Sequence, residues 1–361
     1  MQTNVTLREQ VACASNSDLV MDAALDTLNR PQHSLRLSVI DRCNFRCDYC
    51  MPQDTYQWLP KEDILSFEEM GRLARVFVKA GGRKIRLTGG EPLLRKDLSL
   101  LVEELAAIDG LQELALTTNG YLLEEHAQSL KDAGLQRLNI SIDTLIAERF
   151  VRLCKVDGLQ NTLRGISAAA SAGFEKTKLD MVVIRGQNCD ELIAMLEFAQ
   201  SQKVQLRYIE YMDVGGALNW HEDKLMTASE MLETLSQYFG DIETVDAVSA
   251  SAPAKVYRLA NGYEFGIIAS MSKAFCADCD RSRVTADGNW YSCLYATSGN
   301  NLLDAIRADD QDKLLQLWRQ LWLARDAQTA VKRSELESRQ TSFDLDELLA
   351  DPHLEMHTRG G

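Results

Sequence analysis

Two hydrophobic periods alternate along the chain. Apolar residues fall at every second position, or nearly so, over Leu35–Ile40, Lys84–Thr88, Glu113–Thr118, Arg137–Asp143, Lys178–Ile184 and Gln205–Tyr211. That period predicts strands. Between them lie helix-like segments at Ser66–Ala80, Leu98–Ile108, Leu123–Ala133, Leu159–Ala172 and Cys189–Gln202. Ser66 with Glu69 three residues on predicts a capping box, and Ala80-Gly81-Gly82 a stop. Repeated strand–helix units predict right-handed crossovers and a parallel sheet. Closed or nearly closed, such a sheet is a barrel whose loops at the strand C-termini carry function.

The polar positions change this picture. Buried parallel strands are normally continuous apolar runs. Here alternate positions are polar: Arg36 and Ser38, Arg86 and Thr88, Asn139, Ser141 and Asp143, Lys178 and Asp180. One face of each strand packs on helices, and the other is expected to line a wet interior that takes polar ligands. Beyond a Ser/Ala/Pro stretch at Val248–Ala254, Val256–Leu259 and Tyr263–Ala269 flank Asn261-Gly262 as a hairpin. Ser282–Thr285 and Asn289–Leu294 flank Asp287-Gly288 as a second. Helices are expected at Leu302–Ile306 and Asp312–Leu323, while Arg333–Asp351 is charged and poorly patterned. The expected division is a flexible extension over 1–30 (with a short helix near Leu19–Leu28), a barrel over 31–247 and a smaller C-terminal domain over 248–361.

The chain of 361 residues is 45% hydrophobic and 25% charged, with a net charge of −14. That charge argues against a nucleic-acid or membrane surface, and an anionic substrate would need a local basic pocket. No apolar run reaches membrane length and no signal-peptide pattern is present. Nine clustered cysteines fit metal binding in the cytoplasm better than a disulfide framework.

Four motifs carry candidate chemistry. Cys43, Cys47 and Cys50 form C-x3-C-x2-C directly after the first strand. Thiolates at this spacing suit an iron–sulfur cluster or zinc, and three thiolates on a four-iron cubane leave one iron open. Thr88-Gly89-Gly90-Glu91-Pro92 follows the second strand, its glycines allowing close backbone approach. Cys276, Cys279 and Cys293 form a second triplet; a structural zinc site would want a fourth ligand. Arg281 and Arg283 beside it share one strand face and suit a phosphate chain. The chain ends in Gly360-Gly361, which, lacking side chains, can thread a narrow site.

The first two motifs resemble the radical S-adenosylmethionine (SAM) superfamily. Together with Leu116-Thr117-Thr118-Asn119-Gly120, Asn139-Ile140-Ser141-Ile142-Asp143, Arg207 through Gly215, Phe275 through Leu294 and the Gly-Gly end, the chain resembles the GTP 3′,8-cyclase family of molybdenum cofactor biosynthesis from about residue 25 to 361. The resemblance implies an α/β fold: an incomplete (β/α)6 radical SAM barrel with a small C-terminal domain carrying a second cluster. It implies two [4Fe-4S] clusters, on Cys43, Cys47 and Cys50 and on Cys276, Cys279 and Cys293. It implies SAM contacts from Tyr49, Gly90, Ser141 and Met212. GTP would be held by Arg36, Arg86, Thr117, Lys178, Arg281, Ser282 and Arg283 and by the open iron of the second cluster. Catalytic roles fall to Arg281, Arg283, Gly360 and Gly361. The implied reaction cleaves SAM to a 5′-deoxyadenosyl radical that takes hydrogen from ribose C3′, and the sugar radical attacks guanine C8. The product, 3′,8-cyclo-7,8-dihydroguanosine triphosphate, would pass to a cyclic pyranopterin monophosphate synthase. Implied partners also include an external electron donor; a homodimer is compatible with the sequence.

Ile40 and Cys154 stand where the family more usually has Thr, and neither is expected to touch a ligand residue. Cys13, Cys154 and Cys189 read as structural or incidental thiols. A radical SAM peptide-modifying maturase is the enzyme alternative, but three cysteines beyond residue 200 are fewer than those enzymes carry. A zinc-binding interaction module is the non-enzymatic one.

Overall fold

The computed structural model describes residues 24–53, 55–246, 249–336 and 339–360. Its centre is six parallel strands in sequence order: β1 (Ser34–Ser38), β2 (Lys84–Thr88), β3 (Glu113–Thr118), β4 (Arg137–Ser141), β5 (Lys178–Val183) and β6 (Gln205–Glu210). Leu35 and Leu37, Ile85 and Leu87, Leu114 and Leu116, and Leu179 and Met181 are buried on one face. They meet α1 (Phe67–Lys79), α2 (Leu98–Ala106), α3 (Leu123–Asp132), α4 (Ala147–Cys154), α5 (Leu159–Ser171) and α6 (Leu192–Ser201). The α1 capping box forms as expected, Ser66 accepting the Glu69 N–H and Glu69 the Ser66 N–H.

Strands beyond residue 240 extend this sheet at both ends. A β7–β8–β9 meander (Ile242–Val245, Lys255–Leu259, Glu264–Ile268) joins parallel to β6 through β9. At the other end β10 (Arg281–Val284) runs parallel to β1, followed by β11 (Asn289–Tyr291) and β12 (Asn300–Asn301). The order is β12-β11-β10-β1-β2-β3-β4-β5-β6-β9-β8-β7. The register sets Arg36 beside both Arg86 and Arg283, so the basic residues of three strands meet on one face.

The remaining helices are α7 (Ala228–Phe239), α8 (Leu303–Arg307), α9 (Gln311–Leu323), α10 (Thr329–Ser334) and α11 (Leu345–Ala350). Neither α4 nor α7 was expected from periodicity. The α7 signal was present, because Thr227 and Glu230 form a capping box at its start. Residues 24–30 are not the free lead-in expected of them: Asp26, Arg30 and Gln32 are buried, and α9 donates Trp322 Nε1–H to the Arg30 carbonyl at 3.0 Å. The described part of the anticipated helix near Leu19–Leu28 is instead a β-bridge, Leu25 to Pro31, followed by a turn; residues 19–23 lie outside the described residues. The poorly patterned stretch after Arg333 is anchored: Arg333 makes two hydrogen bonds to Asp213 Oδ2, at 2.9 and 2.6 Å, and Phe343 packs with Leu348 and Leu354.

Candidate active site

The first cysteine loop leaves β1 and folds back on α4. The Arg46 N–H donates to the Cys154 carbonyl at 2.9 Å and the Asp48 N–H to that of Leu153 at 3.1 Å. These bonds bracket Cys47 against the end of α4, where Cys154 and burial raise the Cys47 thiol, contrary to the expectation that Cys154 stands clear of the ligand residues. Burial pushes the Cys43 thiol up to about 12, and Cys50 is raised by burial and by the charges of Cys47 and Cys43. Three thiols sharing one field are held as thiolates only when a cationic centre arrives.

The Gly-Gly-Glu-Pro turn lies against this loop. A Cβ on Gly89, at φ +140°, would sit 2.3 Å from the Ile40 carbonyl oxygen, and one on Gly90 2.2 Å from that of Arg42. Both glycines are required by backbone approach. Glu91 fixes the loop after β3: one oxygen accepts Thr118 Oγ1–H at 2.7 Å and the Leu93 N–H at 3.0 Å, the other the Asn119 N–H at 2.7 Å. Burial raises its carboxyl to about 7, opposed by those same donors. In Glu91→Gln an amide NH2 would face one of them. The expected cost is about 1–3 kcal/mol, read as a lower denaturation midpoint.

A cavity of about 720 Å³ runs through the barrel, from the strand starts at Ser34, Lys84 and Glu113 to the loops after their C-termini, and is lined by both cysteine triplets. Tyr49, Gly90, Ser141 and Met212 line it, as do Arg36, Arg86, Thr117, Lys178, Arg281 and Arg283. Tyr49 donates to Asp143 at 2.6 Å, whose other oxygen accepts the Val182 N–H. Deeper in the barrel, Arg86 donates to Asn139 at 2.6 Å and Thr117 at 3.2 Å, Asn139 donates to Asp180 at 2.8 Å, and Arg207 grips Asp180 through two nitrogens. Cations outnumber carboxylates in this interior. Burial, then Arg283 and Arg281, depress Arg36 well below an ordinary arginine, and burial, Arg207 and Arg137 lower Lys178 to about 8.

Ser282 is the exception among the expected substrate residues. Alternation along β10 turns it away from the cavity, where it is fully buried and accepts Gln32 Nε2–H at 2.9 Å. Its neighbours Arg281 and Arg283 face inward. Arg281 donates to Cys279 Sγ at 3.5 Å and lies over the Phe275 ring.

The C-terminal tail reaches this same face. Arg36 donates to the Gly360 carbonyl at 2.6 Å, Arg283 to the carbonyls of Arg359 and Gly360 at 2.8 and 2.7 Å, and Ser38 to that of Thr358 at 2.8 Å. Arg359 is fully buried over the Tyr291 ring and donates to the carbonyls of His353, Leu294 and Ala296. The loop after β6 is clasped between tail and cysteines: a Cβ on Gly215 would meet the Leu354 carbonyl at 2.1 Å, and one on Gly216 that of Cys50 at 2.2 Å. Gly361 lies outside the described residues.

Residues 37–199 match the Radical SAM superfamily pattern and residues 204–331 match Molybdenum Cofactor Synthesis C. GTP 3′,8-cyclase 3 of Mycobacterium tuberculosis (strain CDC 1551 / Oshkosh) is 48% identical over 97% of this chain and 94% of its own length. GTP 3′,8-cyclase of Staphylococcus carnosus (strain TM300) is 44% identical over 86% and 93%. The chain belongs to the GTP 3′,8-cyclase family. Among solved structures, Streptococcus suis SuiB bound to precursor peptide SuiA superposes with a TM-score of 0.59 at 14% identity, covering 80% of this chain and 66% of that one. Native anSMEcpe with bound AdoMet gives 0.53 at 16% identity over 80% and 82%. These two share the radical SAM fold.

GTP 3′,8-cyclases use [4Fe-4S] clusters and SAM. The donor sets fit that use. Each triplet supplies soft thiols facing one cavity, and no three His, Cys, Asp or Glu side chains among the described residues converge on a point that one metal ion could fill. Thiolates of a cubane bind different irons, so they need not converge. Sequence reading missed Arg207, Arg137 and Arg325. The first two extend the alternation of β6 and β4 and could have been found by it. Arg325 follows α9 with no motif around it.

Proposed function

We propose that this protein is a GTP 3′,8-cyclase that converts GTP to 3′,8-cyclo-7,8-dihydroguanosine triphosphate, opening molybdenum cofactor biosynthesis. One observation carries the reading: both thiol triplets face a single cavity, with an under-neutralised arginine cluster between them. Bound there, the first cluster and SAM would supply the one-electron chemistry that yields a 5′-deoxyadenosyl radical able to take hydrogen from ribose C3′ of GTP. The chain's own residues bind and orient. Cys43, Cys47 and Cys50 hold the first cluster, and Tyr49, Gly90, Ser141 and Met212 seat SAM. Tyr49 is held at a fixed angle by Asp143. Cys276, Cys279 and Cys293 hold the second cluster. Arg36, Arg86, Thr117, Lys178, Arg281 and Arg283 surround GTP, whose triphosphate relieves their mutual repulsion. Gly360 places the tail against Arg36 and Arg283, and Gly361 shares its catalytic role. The electron comes from an external donor, and the product goes to a cyclic pyranopterin monophosphate synthase.

No helix among the described residues is long and apolar enough to cross a membrane. The test is anaerobic reconstitution followed by incubation with SAM, GTP and a chemical reductant. About eight irons per chain, GTP-dependent 5′-deoxyadenosine and the cyclised triphosphate are the expected result. Bound zinc with intact SAM would overturn the reading.

A further inference from the structure

The second cysteine triplet is backed by a buried charge lattice that neither the motifs nor the proposed reaction uses. Asp26, Arg30 and Arg325 come from opposite ends of the chain, with side chains 0%, 3% and 1% exposed. Asp26 Oδ2 accepts Arg30 Nε–H and Arg325 Nη1–H, both at 2.7 Å, while Oδ1 accepts the Leu28 and Arg30 N–H groups. From this anchor the guanidiniums reach each cysteine segment. Arg30 Nη1 donates to the Cys276 carbonyl at 2.7 Å. Arg325 donates to the Ser292 carbonyl, next to Cys293, at 3.2 Å and to the Cys279 carbonyl at 3.1 Å. Its Nη2 also donates to Cys279 Sγ at 3.3 Å.

Two buried guanidiniums share one carboxylate, so the lattice carries an excess positive charge. A buried charge without a partner is costly. The Cys279 sulfur, as thiolate, accepts directly from Arg325 and can balance it. Two guanidiniums converge on that sulfur, Arg325 Nη2 at 3.3 Å and Arg281 Nη2 at 3.5 Å. The first triplet differs: Cys43 Sγ accepts the neutral Phe45 N–H, and no guanidinium bonds a first-triplet sulfur among the described residues.

We infer that the Asp26–Arg30–Arg325 lattice positions the three thiolate segments of the second cluster, and that Arg325, by hydrogen-bonding Cys279 Sγ, raises that cluster's reduction potential. This rests on the reading that the second triplet holds a cluster. A cation and an N–H donor at a ligating sulfur favour the more negative, reduced state. Arg325 is thus a positioning residue for the cluster.

The test uses the full-length chain with Cys43→Ala, Cys47→Ala and Cys50→Ala, so that the remaining cluster is the second. Its midpoint potential is read by electron paramagnetic resonance during a dithionite titration, beside iron and sulfide content. Adding Arg325→Gln leaves Asp26 paired with Arg30, so the buried charges still balance. The expected result is retained iron with the reduction equilibrium weakened about tenfold, equal to about 59 mV for a one-electron couple. Arg325→Lys, which keeps the charge but not the planar fork, should shift it less. Full iron with unchanged potential in Arg325→Gln overturns the proposal while leaving the cluster assignment standing. If Arg325→Gln fails to fold, an unchanged potential in Arg325→Lys overturns it. No iron at the second triplet of the parent overturns both.

Discussion

Replacing Gly360 with alanine is expected to lower formation of the cyclic product at least ~100-fold while leaving iron and sulfide content unchanged. Gly360 sits at φ +66°, a conformation that strains any other residue. A Cβ there would lie 2.1 Å from Thr88 Oγ1, at the end of β2. Thr88 is buried on a central strand and cannot yield, so the tail must move. Its Gly360 carbonyl is the acceptor shared by Arg36 and Arg283, and both guanidiniums would lose it together. The cysteine triplets hold their places through separate contacts, such as those of the Cys43 loop with α4, and should still load iron. Product and 5′-deoxyadenosine measured side by side check this: cleavage of SAM should persist while cyclisation fails. Normal product formation would show that the tail's placement is incidental to turnover.

The barrel was legible because its strands obey one rule. Leu35, Leu37, Ile85 and Leu87 point to the helices, so Arg36 and Arg86 must point inward, and the structure pairs them in register. The same alternation excludes Ser282 from the cavity, a conclusion available from the Arg281-Ser282-Arg283 run but overridden by motif transfer. What sequence could not give was the meeting of distant segments. Asp26 and Arg325 are separated by nearly the whole chain, and nothing in either neighbourhood names the other. Cys154 likewise reads as an incidental thiol until the last turn of α4 is seen to receive the backbone of Arg46 and Asp48. The anchoring of the stretch after Arg333 was equally hidden, because Arg333 is held by a distant carboxylate, Asp213, which in turn accepts Tyr295 Oη–H at 2.6 Å.

Arg283→Ala is expected to lower turnover as severely as loss of the tail, and the two changes together should cost little more than either. Arg283 is buried and its Nη1 is committed to two tail carbonyls, at 2.8 and 2.7 Å. Its role therefore passes through the tail as well as through any phosphate it meets. Residues that act as one unit are strongly non-additive, whereas independent contacts add. Arg86 supplies the contrast: it bonds Thr117 and Asn139 and, among the described residues, no tail carbonyl. Arg86→Ala combined with removal of Gly360 and Gly361 should give the product of the two separate losses. The measurement is a double-mutant cycle on product formation, with GTP affinity determined for each variant. Additive losses for Arg283 and the tail would assign Arg283 to the triphosphate alone. Non-additive losses, with GTP affinity falling less than turnover, would place it as the clamp through which the tail meets the substrate.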